Sequence, residues 1–210
     1  MGDAGMLEYE KQLWEQGCTL IAGIDEVGRG CLFGDVVAAA VVLPPGLILE
    51  GINDSKKLSE KKREQLYDVI VEHALYWSVA RIDAAEIDRI NIKQASRLAM
   101  KRAVQTLGVD PEHLLVDAEK VDLDIPQQAI IKGDATSQSI AAASIIAKVT
   151  RDRLCKTEWE MLYPGYGIAI HKGYATKAHR ESLLTLGPTP LHRRSFLGNI
   201  MAEMEQQVLF

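Results

Sequence analysis

The 210-residue sequence predicts a single α/β domain with a helical C-terminal portion. Three observations predict it. Apolar, β-branched runs alternate with segments of helical apolar spacing, the runs are bounded by glycine, proline and acidic residues, and no repeat, linker or break in composition divides the chain. With 47% hydrophobic and 25% charged residues the chain can bury one core, which excludes disorder, collagen and coiled coil.

The opening Met1 to Glu10 is acidic and has no basic segment ahead of an apolar one, so residues 1–18 read as an N-terminal extension and not as a secretory signal. Met6 stands where a myristoylation pattern needs Ser or Thr. Thr19 to Asp25 (TLIAGID) reads as a buried strand and Val36 to Leu43 (VVAAAVVL) as a second, ended by Pro44-Pro45-Gly46, with a glycine-punctuated turn from Gly28 to Gly34 between them. Leu66, Val69, Ile70 and Ala74 sit at helical spacing behind the start signal Ser59, and Trp77 to Ile82 alternates as a strand. A helix over Lys93 to Leu107 stops at Gly108. His113 to Asp117 and Gln128 to Lys132 follow as short strands, and Ser137 to about Tyr163 as a long helix ended by Pro164-Gly165. Helices over Thr176 to Leu186 and Ser195 to Gln207 complete the prediction.

The longest apolar stretch, Val36 to Leu43, falls far short of the roughly 20 residues that span a bilayer, so a soluble protein is expected. Cys18, Cys31 and Cys155 are odd in number and form no C-x-x-C, which supports neither a disulfide framework nor a zinc site and points to a reducing cytoplasm.

Acidic residues fall where strands end. Asp25 and Glu26 close the first strand, Asp117 closes a later one, and Asp134 precedes the long helix. Open α/β sheets gather their chemistry at strand ends, so these four could converge from distant parts of the sequence. Clustered carboxylates repel unless hard divalent cations sit among their oxygens, which points to metal-assisted phosphoryl chemistry. Taken singly each has a structural reading: Asp134 as a cap for the helix near Ser137, Asp117 as a surface turn residue.

Charge adds a second clue. Twenty-four Lys and Arg against 29 Asp and Glu give −5 overall, which argues against polyanion binding through the global field. Between Lys148 and Arg194, however, nine basic residues face four acids, so a local phosphate-tracking face is expected there, with Tyr163, Tyr166 and Tyr174 positioned to stack. A solvated helical face would show the same charges.

Six strings together are informative: Gly23 to Gly34 (GIDEVGRGCLFG), Asp54 to Leu58 (DSKKL), Leu114 to Asp117 (LLVD), Lys132 to Asp134 (KGD), Ser139 to Asp152 (SIAAASIIAKVTRD) and His171 to Tyr174 (HKGY). From about Leu20 to Phe196 the chain resembles the ribonuclease HII family. The resemblance implies a ribonuclease H-like mixed β-sheet flanked by helices, with a catalytic domain over 19–196 that includes a helical part gripping the duplex, and a C-terminal helix and tail over 197–210. It implies a metal-dependent endoribonuclease, using Mn²⁺ or Mg²⁺ in a two-metal mechanism, that hydrolyses RNA paired with DNA and nicks 5′ of single ribonucleotides embedded in duplex DNA, leaving 3′-hydroxyl and 5′-phosphate ends.

By matching strings, Asp25, Glu26, Asp117 and Asp134 take the family's acidic, metal-holding positions, Gly28, Arg29 and Gly30 its ribonucleotide-sensing loop, and Tyr174 its junction-stacking tyrosine. Ser55, Lys56 and Lys57 are expected to hold backbone phosphates. Ala118 stands where a glycine is frequent in relatives, which bears on the local turn only. Adjacent strand residues point to opposite faces, so Glu26 is expected where the strand ends or bends, lending a main-chain carbonyl. The small residues Ala141, Ala142, Ala143, Ser144 and Ala147 would let the long helix lie close to the sheet and fix Asp134.

Gln206, Leu209 and Phe210, in the terminal QQVLF, resemble the sliding-clamp-binding peptide of bacterial replication and repair proteins. No membrane partner is expected, and a monomer is. Two other readings share these features: a DNA nuclease on the same architecture, which would have no 2′-hydroxyl to sense, and a non-catalytic nucleic-acid-binding clamp adaptor, against which the four acids argue.

Overall fold

The computed structural model describes residues 4–202. Five strands form one mixed sheet: β1 (Ile21–Val27), β2 (Val36–Val42), β3 (Tyr76–Ile82), β4 (His113–Asp117) and β5 (Gln127–Ile130), in the order β3-β2-β1-β4-β5. β2 pairs antiparallel with both β1 and β3, while β4 pairs parallel with both β1 and β5. The central β1 therefore joins a hairpin half to a crossover half.

β2 shows why the chain layers as it does. Val36, Ala38, Ala40 and Val42 face a core shared with α3 (Ala84–Ile90) and α4 (Ile92–Gln105), while Val37, Ala39 and Val41 face α2 (Glu60–His73) and α5 (Gln138–Leu154). Every β2 side chain is buried, which explains its unbroken apolar run. Side-chain caps start the helices at the residues that stop the strands or turns: Ser59 accepts from the Lys62 N–H, Asp83 from Glu86, Asn91 from Gln94 and Ser137 from Ile140.

α5 lies on β1 at backbone contact. A Cβ built on Gly23 would stand 2.1 Å from the Ser139 carbonyl carbon, so no side chain fits there. Ala141, Ala142, Ala143, Ser144 and Ala147 are all buried, as the small-residue run predicts. The long helix does reach residue 162, but through a π-helical turn, Cys155–Trp159, before a last short turn α6 (Glu160–Leu162). α7 (Ile168–His171), α8 (Lys177–Leu186) and a 3-10 turn (Arg194–Phe196) form the helical C-terminal portion.

Several boundaries differ from the sequence reading. β1 starts and ends two residues later than predicted, because the N–H groups of Thr19 and Leu20 bind the Glu112 carboxylate at 2.7 and 2.8 Å, while Glu26 and Val27 pair with Ala38 and Val37. Asp25 and Glu26 thus do not close the strand. β5 ends at Ile130 because Lys132 turns left-handed (φ 56°). The predicted Ser195–Gln207 helix is a 3-10 turn followed by helical residues 198–202, and its remainder lies outside the described residues. Helices α3 and α7 and the N-terminal α1 (Glu8–Glu15) are additional. α1 is tied to the body by the buried Glu10, whose Oε1 accepts from the Ser137 hydroxyl (2.7 Å) and the Ser139 N–H (3.0 Å).

Candidate active site

At the C-terminal ends of the parallel pair β1 and β4, four acids feel one another. Asp25 lies on the α5 face, 5% exposed, with its Oδ1 accepting the Glu26 N–H at 2.7 Å. Burial drives its pKa well up, and the charges of Glu26 and then Asp117 push the same way. Glu26 is raised by burial, which the Arg29 guanidinium opposes at 3.2 Å and Asp117 reinforces. Asp134 is raised by burial, then by Asp54 and Asp117, against the pull of Lys56. Asp117 is thus the electrostatic hub: its charge reaches the other three.

Local structure accounts for each position. Asp117 ends β4, where its Oδ1 accepts the Gly133 N–H at 2.7 Å and so draws in the 3-10 turn Gly133–Ala135 that carries Asp134. Ser137, not Asp134, caps α5, so Asp134 is left to face the other acids. Ala118 takes φ 52°, the left-handed conformation that glycine accepts most easily. Glu26 stays inside the strand, so the expected strand end or bend at Glu26 is corrected: the chain turns only after Val27, at Gly28 (φ 92°).

Asp54 is the acid that the sequence reading quoted and gave no role. Its charge raises the pKa of Asp134, and its Oδ1 accepts the Lys56 N–H at 2.9 Å. Its signal was present as an acid opening the string that supplies Ser55, Lys56 and Lys57. Ser55 is turned inward, 3% exposed, its Oγ 2.9 Å from that of Ser144, which in turn reaches Asp25. Lys56 and Lys57 are exposed.

The Gly28-Arg29-Gly30 loop is woven into two C-terminal loops. The Leu32 N–H donates to the Gly173 carbonyl (2.8 Å), Gly34 to Leu191 (2.8 Å) and Arg193 to Leu32 (2.8 Å). Two wholly buried arginines lock the weave. Arg151 donates to the carbonyls of Asp35 (3.0 Å), Phe33 (2.9 Å) and Lys172 (2.7 Å), and Arg193 to those of Gly34 (2.9 Å) and Arg29 (3.0 Å). Gly28 is confined by this packing, because a Cβ there would stand 2.4 Å from Arg151 Nε. Tyr174, 39% exposed, sits beside Cys31 with Lys148 Nζ 6.0 Å from its ring centre.

This weave corrects the expected basic face. Of its nine cations, Arg151 and Arg193 are internal clamps, and Lys148, Arg153, Lys156 and Lys177 pair with Asp152, Glu64, Glu60 and Glu181. Tyr166 is buried with its hydroxyl donating to the Gly187 carbonyl at 2.5 Å, so it does not stack on a ligand. A separate recess of about 630 Å³ lies against α4, but its Arg97 and Lys101 pair with Glu119 and Asp122 and none of the four acids lines it. The acids instead gather at the C-terminal ends of β1 and β4, partly buried against α5.

A family model described as ribonuclease HII matches residues 22–198. A ribonuclease HII of Alkaliphilus metalliredigens is 62% identical over 201 residues, covering 93% of this chain and 98% of the relative. The chain belongs to the ribonuclease HII family. It is accordingly a hydrolase, a metal-dependent endonuclease of the ribonuclease H type. The ribonuclease H2 of Pyrococcus horikoshii superposes with a TM-score of 0.73 at 25% identity, covering 89% of this chain and 99% of that one. A ribonuclease HII from an Archaeoglobus fulgidus complex with PCNA gives 0.70 at 27% identity over 86% and 96%. Bst-RNase HIII in complex with Mn²⁺ shares the fold, with a TM-score of 0.62 at 20% identity over 91% and 72%.

The donor set fits the divalent ion that ribonuclease HII enzymes require. Among the described residues no three His, Cys, Asp or Glu side chains form a ready-made cage. The fit rests instead on chemistry: Asp25, Glu26 and Asp134 are nine-tenths or more buried, each repelled by the charge of Asp117, and Glu26 Oε2 is buried without any hydrogen-bond donor. A buried anionic oxygen without a partner is costly unless a cation satisfies it. Oxygen-only donors suit Mg²⁺ and Mn²⁺.

Proposed function

We propose that this chain nicks duplex DNA on the 5′ side of a single embedded ribonucleotide, as well as hydrolysing RNA within RNA-DNA hybrids, and leaves 3′-hydroxyl and 5′-phosphate ends. The observation that carries the reading is the adjacency of two devices: four acids centred on Asp117, and a glycine-bounded loop that leaves the same strand one residue beyond Val27.

Asp25, Glu26, Asp117 and Asp134 would hold divalent metal, Mg²⁺ or Mn²⁺, which when bound lowers the pKa of water and stabilises charge developing on the phosphate oxygens. The chain's own residues do the rest. Asp117 sets the spacing of the acids through its bond to the Gly133 N–H. Ser144, held by Ser55, orients Asp25. Backbone groups of Gly28, Arg29 and Gly30 can approach a sugar closely, and the 2′-hydroxyl, both donor and acceptor, is what such groups read. Tyr174 packs against the deoxyribose on the 3′ side, favouring an RNA-to-DNA junction. Lys56 and Lys57 neutralise backbone phosphates, while Ser55, buried against Ser144, anchors the segment that carries them.

The catalytic body spans 19–196, acts as a monomer, and works in a reducing cytoplasm, in keeping with three unpaired thiols. Among the described residues no helix is long and apolar enough to cross a membrane. Gln206, Leu209 and Phe210 lie outside the described residues, and we assign them to a sliding clamp. Deleting 206–210 should abolish binding to a bacterial clamp and leave nicking unchanged, whereas unchanged clamp affinity removes the assignment.

The deciding test uses duplex DNA with one ribonucleotide, an all-DNA duplex and an RNA-DNA hybrid, each with Mg²⁺, Mn²⁺ or chelator. Metal-dependent cleavage 5′ of the ribonucleotide, lost in Asp117→Asn, is the expected result. Cleavage of the all-DNA duplex would favour a DNA nuclease, and binding without cleavage an adaptor.

A further inference from the structure

Three histidines form a buried cluster that the four acids do not use. His171 is 8% exposed, His179 and His192 essentially not at all. The His171 and His179 rings stack at 4.1 Å and 15°, and His179 Nε2 lies 3.1 Å from His192 Nε2. Phe33, from the loop that follows Gly30, packs edge-on to His192 at 4.9 Å and bridges to it through the backbone.

Hydrogen bonding fixes the proton on every ring. The Thr189 N–H donates to His192 Nδ1 at 2.9 Å, so Nδ1 carries no proton and the neutral ring must be protonated at Nε2. That Nε2–H faces His179 Nε2, which must accept. His179 Nδ1–H is then left to donate to the Tyr174 carbonyl at 2.9 Å. His171 is fixed in the same way: its Nδ1 accepts the Gly173 N–H (3.1 Å) and its Nε2–H donates to the Tyr166 carbonyl (2.7 Å). The Tyr174 N–H meanwhile donates to the His171 main-chain carbonyl at 3.0 Å. Both backbone groups of Tyr174 are therefore bound by histidines, and its carbonyl also accepts the Thr176 N–H at 2.8 Å.

We propose that His179, oriented by His192, is a positioning residue for Tyr174, setting the ring against the Gly28-Arg29-Gly30 loop and thereby the preference for a ribonucleotide junction over continuous hybrid. The inference rests on the reading of Tyr174 given above. A directional chain of donors runs Thr189 to His192 to His179 to Tyr174 and adds to the Thr176 N–H in restraining the Tyr174 carbonyl.

The test compares the full-length wild type with His179→Ala, Tyr174→Ala and the double variant, taking kcat/KM on single-ribonucleotide duplex divided by that on uniform hybrid. Tyr174→Ala should lower this ratio by at least about fivefold, the low end for stacking on an aromatic ring. His179→Ala should lower it by up to about fivefold, the size of one neutral hydrogen bond, while activity on uniform hybrid stays within about twofold. The double variant should match Tyr174→Ala alone, since His179 acts through Tyr174. Equal losses on both substrates in His179→Ala, or additive losses in the double variant, overturn the inference. An unchanged ratio in Tyr174→Ala instead overturns the underlying reading of Tyr174. A second measurement needs no variant: ¹⁵N-histidine NMR of the wild type at pH 7 should find three neutral rings, His171 and His192 protonated at Nε2 and His179 at Nδ1. Any other tautomer set refutes the chain.

Discussion

At the residue scale, Asp117 combines three duties: it terminates β4, binds the Gly133 N–H and contributes the charge that every neighbouring acid senses. Asp117→Asn keeps a side chain of the same shape and removes that charge. Activity should fall more than about 100-fold, the upper range for losing merely an outer partner of a metal ligand. The rise in melting temperature produced by Mn²⁺ in the wild type should also shrink, which thermal unfolding with and without chelator reads directly. Ala118, one residue on, is held at φ 52°. Ala118→Gly should stabilise the fold by about 1 kcal/mol in urea unfolding, because a left-handed alanine costs roughly that much. The convergence of the acids was legible in the sequence because open α/β sheets gather such residues near strand ends, although Asp25 and Glu26 fall inside β1 and only Asp117 ends its strand. Arg151 and Arg193 were not legible, since a cation bound to buried carbonyls is indistinguishable in sequence from one in solvent.

At the element scale, the decisive contact is α5 on β1. Gly23 faces the Ser139 backbone with no room for a methyl group. Gly23→Ala should destabilise by about 3 kcal/mol, at the upper end for overpacking, as read by urea denaturation. Activity should fall by more than the folded fraction does, because α5 begins four residues after Asp134 and a shifted helix moves that carboxylate. Element types followed from periodicity wherever one face of a helix or both faces of a strand are buried, as in β2 and α5. Boundaries slipped where side chains outside the element took over its hydrogen bonds, as Glu112 does for Thr19 and Leu20. Helix α7 went unread because four residues carry no periodicity.

At the scale of the whole molecule, the helical C-terminal portion packs neutral histidines against Phe33 of the loop between β1 and β2. Burial, joined by the charge of His171, depresses His179 to about 4, and burial with the charges of His179 and His171 depresses His192 to about 3. The unfolded chain takes up these protons near pH 6.5 and the folded one does not, so this stability is complete above pH 6.5 and is lost as pH falls towards 4. One histidine depressed to about 4 accounts for about 2 kcal/mol at pH 5. The carboxylates of Asp25, Glu26 and Asp134, all raised, act in the opposite sense and gain protons on folding. His192→Asn isolates the histidine part: Asn can accept from Thr189 and donate to His179, yet it does not titrate. Its urea midpoint should fall less steeply than that of the wild type between pH 6.5 and 5, and equal slopes would refute the assignment.

The hybrid sheet also sets an order in time. β1, β2 and β3 are joined by antiparallel pairing of successive strands, so that half can zip as soon as its residues leave the ribosome. The parallel bond of β1 to β4 joins Ile21 to His113, and closing so long a loop is slow. Asp25 and Glu26 can therefore pair with β2 early and wait for Asp117 and Asp134, and the loop beyond them waits longer still for Gly173, Leu191 and Arg193, so the acids assemble before the loop that flanks them is locked.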